Sequence, residues 1–74
     1  MDIYYTNETL YVNMNSINRQ IVNVMQKRVF RIIEDYAIDN VVLKIPRFYD
    51  TNCEMLSSFV SNYRKKRHGN LKIL

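Results

Sequence analysis

The stretch that decides the fold is NVVLKIPRFYDTNCEMLSSFVSNYRKKRHGNLKIL, residues 40–74. It opens on Val41 to Ile45, an apolar run broken only by Lys44, which reads as a buried strand. Pro46 ends that strand, because a residue without an N–H cannot donate to a sheet ladder. Further on, Met55, Leu56, Phe59, Val60 and Tyr63 recur at three- and four-residue steps. Ser57, Ser58, Ser61 and Asn62 fall away from that stripe, so the segment is an amphipathic helix. Gly69, the only glycine, stands where a left-handed C-terminal cap is expected, and Asn70 to Leu74 reads as a last strand.

Working back from this unit, a first helix is just as clear. Ile21, Met25, Val29, Ile32, Ile33 and Tyr36 form its apolar stripe, and Asn18 is its expected N-cap. The helix is expected to end near Tyr36 or Ala37, ahead of the turn-forming pair Asp39-Asn40. Before it lie two short strand candidates, Ile3 to Tyr5 and Leu10 to Met14, split by the polar cluster Thr6-Asn7-Glu8-Thr9. The order is therefore β-β-α-β-α-β, a small α/β fold. Right-handed crossovers make its last three strands parallel and put both helices mainly on one sheet face. The opposite face is left thinly covered, so it is either partly polar or overlaid by another subunit.

Totals narrow the function classes. A chain of 74 residues is one domain. A domain this small buries only about 60% of its unfolded surface, so oligomerisation or docking on a partner is a natural source of stability. The single cysteine, Cys53, rules out an internal disulfide, and with His68 the only histidine a structural zinc site is not expected. There is no apolar run near 18 residues and no secretory leader, which points to a cytoplasmic protein without a membrane span. A net charge of +4 permits nucleic acid or acidic protein as a partner without requiring either. Neither a glycine-rich phosphate loop nor a nucleophile elbow nor a paired-histidine motif is present. No catalysis and no cofactor are expected.

The polar triplet Asp50-Thr51-Asn52, at the entry to the second helix, has two readings. Thr51-Asn52-Cys53-Glu54 fits the capping box, which satisfies free N–H groups and needs no function. The same helix start, with its free donors and positive dipole end, can also hold a phosphate or a partner's carboxylate. The run Arg64, Lys65, Lys66, Arg67, with Lys72 beyond it, is similarly open. It offsets the negative end of the helix dipole. Alternatively, it contacts phosphates, with Arg19, Lys27, Arg28 and Arg31 adding charge. Phe30 falls off the apolar stripe beside Gln26, Lys27 and Glu34, which makes it a candidate exposed anchor for a partner.

The order of elements, the strand Val41-Val42-Leu43-Lys44-Ile45 and the entry Phe48-Tyr49-Asp50-Thr51 resemble the STAS domain, named for sulfate transporters and anti-sigma factor antagonists. The resemblance covers about Leu10 to Leu74 and implies a minimal or truncated relative. In that family the second helix is entered through an Asp-Ser-Ser-Gly motif, whose second serine is phosphorylated by a partner kinase that is also the anti-sigma factor. The motif's Asp falls on Asp50, its first Ser on Thr51, its phosphoacceptor on Asn52 and its Gly on Cys53. Asn52 cannot accept phosphate, so the resemblance implies either an unswitched member or one phosphorylated at Thr51. It also implies a non-catalytic module whose regulatory partner docks on Asp50, Thr51, Asn52, Ser57, Ser58 and Ser61. The alternatives are a basic nucleic-acid-binding module and a homo-oligomeric subunit.

Overall fold

The computed structural model describes residues 1–47, 49, 54–66 and 69–74. Its elements run β1 (Asp2–Thr6), β2 (Thr9–Asn13), α1 (Arg19–Tyr36), β3 (Asn40–Lys44), α2 (Glu54–Lys66) and β4 (Asn70–Ile73). This is the β-β-α-β-α-β order expected from sequence, with strand ends shifted by a residue. The four strands form one sheet in the order β1-β2-β3-β4. β1 is antiparallel to β2, while β2, β3 and β4 are parallel.

Local chemistry accounts for most of the element boundaries. Asn7 and Glu8, which join β1 to β2, both have positive φ, at 51° and 60°. Two such residues in a two-residue loop are the signature of a type I′ turn, whose twist matches that of paired strands. At the start of α1, Asn18 is extended and its Oδ1 accepts the Ile21 N–H at 2.8 Å, as an N-cap should. At the other end Ala37 turns left-handed, with φ 52° and ψ 47°. The Ile38 N–H then reaches back to the Ile33 carbonyl at 3.3 Å, and both side chains are buried, which makes a Schellman stop. Asp39-Asn40 therefore does not end the helix; Asn40 already belongs to β3.

Gly69 also departs from expectation. It is not left-handed. A Cβ at this position would collide with the carbonyl oxygen of Asp39 and sit 3.1 Å from the Tyr63 hydroxyl. The glycine is required by the close approach of the α2–β4 turn to the start of β3, where Asn70 N–H bonds the same Asp39 carbonyl at 2.8 Å.

The core lies between the sheet and the two helices. Leu10, Val12 and Met14 of the β2 line and Val41, Leu43 and Ile45 of the β3 line are buried on one face. Against them pack Val22, Met25, Val29 and Ile33 of α1 and Leu56, Phe59 and Tyr63 of α2. Each such side chain contributes about 1.5–3 kcal/mol on burial. The buried stripe of α1 is thus rotated from the one predicted: Val22 is inside, whereas Ile21 and Ile32 are half-buried and Tyr36 is 75% exposed. The opposite sheet face carries Tyr4, Tyr11, Val42 and Lys72 side by side across the four strands. It is partly polar, and among the described residues no helix covers it.

Candidate docking groove between the helix starts

A right-handed crossover sends each helix back antiparallel to its strands, so both helices begin at the carboxyl edge of the parallel strands. In open α/β sheets that edge is where ligands bind. Here the start of α1 and the start of α2 frame a groove of about 490 Å³. Arg19, Val22 and Asn23 line it from α1, and Glu54, Met55, Ser57 and Ser58 line it from α2.

Hydrogen bonds fix the walls of this groove. Ser57 Oγ donates to the Glu54 carbonyl at 2.7 Å, holding the first turn of α2. Gln26 Nε2 donates to Ser58 Oγ at 3.5 Å, and its Oε1 accepts from Asn62 Nδ2 at 3.2 Å, which ties the two helices together at the surface. Arg19 and Glu54 share the groove, and among the described residues neither is in an ion pair. The site thus offers one cation, one carboxylate, two hydroxyls and an apolar floor from Val22 and Met55. Such a mixture suits the surface of a folded protein or peptide.

The predicted site residues divide into three groups. Ser57 and Ser58 line the groove; Ser61 is exposed a turn further along α2. Asp50, Thr51, Asn52 and Cys53 lie outside the described residues, as do Arg67 and His68. Phe30 is not the exposed anchor that its helical position suggested. It is half-buried between the helices, its ring 5.6 Å from that of Phe59, with Lys66 Nζ 5.2 Å from its centroid. The helical wheel misplaced it because α1 has two covered sides, one on the sheet and one on α2.

Among the described residues the cations occupy more than one surface. Arg64, Lys65 and Lys66 are exposed in the last turn of α2, where the helix dipole favours them. Lys72 lies on the uncovered sheet face and Arg19 in the groove. Arg31 pairs with Asp35 at 3.9 Å across an exposed helix turn, a contact worth at most a few tenths of a kcal/mol, roughly.

Sequence reading missed Asn23 as a groove residue and the bridging role of Tyr49. Tyr49 Oη donates to the Ile17 carbonyl at 3.3 Å and so ties the segment after β3 to the loop before α1. The parallel order alone implied that these two loops share an edge; the side chains that meet there depend on packing. Comparison of the chain with protein-family models, curated proteins and solved structures found no match. No described helix is long and apolar enough to cross a membrane.

Proposed function

We propose that the chain is a non-catalytic protein-interaction module that works in the cytoplasm. Its partner docks in the groove between the helix starts, on Ser57 and Ser58, and also engages Ser61 and the Asp50-Thr51-Asn52 segment that precedes α2 in sequence. The resemblance to anti-sigma factor antagonists makes the partner a regulatory protein, an anti-sigma factor or a kinase-like one. With Asn52 in the acceptor position, binding is constitutive unless Thr51 takes the phosphate. One observation supports this reading above the rest: Ser57 and Ser58, singled out as partner-facing, line one groove with Arg19 and Asn23 of the other helix.

The test is affinity capture of the tagged chain from its native cells at moderate salt, alongside the variant Ser58→Arg, which fills the groove without touching the core. A protein recovered by the wild type and reduced at least about tenfold by Ser58→Arg is the expected result, a loss near 1.4 kcal/mol. Equal recovery by both forms puts the docking surface elsewhere. Recovery of nucleic acid that high salt removes assigns binding to Arg64, Lys65 and Lys66 instead.

A further inference from the structure

β1 is an edge strand, joined to the sheet only through β2, and an open groove separates it from α1. Its inner-face residues, Ile3 and Tyr5, stand opposite Val12 and Leu10, yet Tyr5 is 56% exposed. Between them and Ile32 and Tyr36 of α1 runs an apolar groove of about 530 Å³, also lined by Leu10 and Ile38. On the other face, Tyr4 is 48% exposed and its ring stacks on that of Tyr11, with centroids 5.2 Å apart and planes within 12°. That spacing is close to the separation of neighbouring strands, about 4.8 Å. The rings therefore stack along the direction of strand pairing, and the free face of Tyr4 looks toward the place of a further strand.

The backbone of β1 specifies how such a strand would pair. In a two-residue hairpin the pair flanking the turn, Thr6 and Thr9, exchanges hydrogen bonds, and the pattern alternates along the strands. Asp2, Tyr4 and Thr6 thus bond to β2, while the N–H and C=O groups of Ile3 and Tyr5 point outward from the sheet edge. Neither Lys nor Pro nor a bulge guards this edge, the usual protections of an exposed strand.

We propose that β1 pairs antiparallel with β1 of a second copy of this chain, about a two-fold axis at Tyr4. In this register Ile3 faces Tyr5 of the second copy, and the outward groups of both residues are matched. Asp2 falls opposite Thr6 of the second copy, so no like charges meet. The Tyr4–Tyr11 stack becomes a ladder of Tyr rings running across the junction. On the helix side, Ile3 and Tyr5 of each copy flank the groove beside Tyr36 of the other. A strand with apolar residues at alternate positions is what the groove and edge require, and β1 is such a strand. The second copy is therefore the occupant, and the sheets join into one.

The test is sedimentation velocity of the purified full chain from about 1 to 200 µM, with circular dichroism to confirm folding. The wild type and Tyr4→Phe are expected to reach the dimer mass. Tyr4→Glu, which sets two carboxylates face to face at the axis, is expected to remain monomeric while folded. In a Cys53→Ser background, Tyr4→Cys is expected to form a disulfide-linked dimer under mild oxidation, because directly opposed residues lie within disulfide reach. A wild type that is monomeric throughout, or a dimer unaffected by Tyr4→Glu, overturns the proposal. Dimerisation is read without any partner protein and with the helix-start groove intact, so it succeeds or fails independently of the proposed function.

Discussion

The two flanks of α1 have opposite characters. Toward α2, Gln26 bonds Ser58 and Asn62, and Phe30 packs on Phe59 beneath Lys66. Toward β1, Ile32 and Tyr36 border an open apolar groove. The difference follows from how the strands are connected. A parallel connection needs a crossover and brings a helix to cover its strands, whereas an antiparallel hairpin turns back in two residues and brings none. β1 is attached by such a hairpin, and on its inner face Tyr5 stays 56% exposed beside the apolar groove. This teaches that connection type, more than hydrophobicity, determines which apolar residues of a small α/β domain stay available to partners.

Truncating one side chain on each flank puts the largest predicted effect on this contrast. Phe59→Ala, at a fully buried position between the helices and sheet, should cost about 3–5 kcal/mol in urea unfolding. Tyr36→Ala, measured at concentrations where the chain is monomeric, should change stability by no more than about 0.5 kcal/mol. A Tyr36 variant as damaging as the Phe59 variant would mean that the β1 flank is covered within a single chain.

A smaller loss is expected at the sole glycine. Gly69→Ala should destabilise by about 1–3 kcal/mol, because the added methyl has to displace the Asp39 carbonyl and with it the pairing of β3 and β4. Were Gly69 required only for a left-handed cap, Gly69→Asn would restore stability; with a steric requirement it should be worse than Gly69→Ala. Thermal unfolding of the two variants distinguishes these cases.

The smallest effects should be gains. Ala37 and Glu8 both hold left-handed backbone that glycine adopts without steric cost. Ala37→Gly and Glu8→Gly should each stabilise by about 0.5–1 kcal/mol. The Glu8 change also sharpens the contrast between the flanks, since it firms the hairpin that fixes β1 without touching either helix. A loss at Glu8→Gly would show that the hairpin turn is not of the type its dihedrals indicate.

The order of elements was legible in the sequence because both helices carry an apolar stripe at three- and four-residue steps, Leu10, Val12 and Met14 alternate, and the continuous apolar run Val41 to Ile45 is cut off by Pro46. Asn18 was legible because a cap is local chemistry. Which way α1 faces was not. Ile21, Ile32 and Tyr36 lie close to the buried residues on a helical wheel, and only the positions of α2 and β1 decide which of its flanks is covered. Phe30 was misread for the same reason, as a surface residue rather than part of the helix–helix contact. Gly69 was assigned the commoner role of glycine after a helix, because a collision with a carbonyl thirty residues earlier leaves no local trace. Of the candidate site, Ser57 and Ser58 were legible as the polar side of α2. Their meeting with Arg19 and Asn23 is a consequence of crossover geometry and packing.

The most direct single measurement is in-cell photo-crosslinking of the chain with a photoreactive residue at position 58. Capture of a different protein, the same one that Ser58→Arg releases, is the expected result and establishes the helix-start groove as the docking site. If position 58 captures nothing, or captures only a second copy of the chain, the groove is not a partner site and the proposed function is wrong.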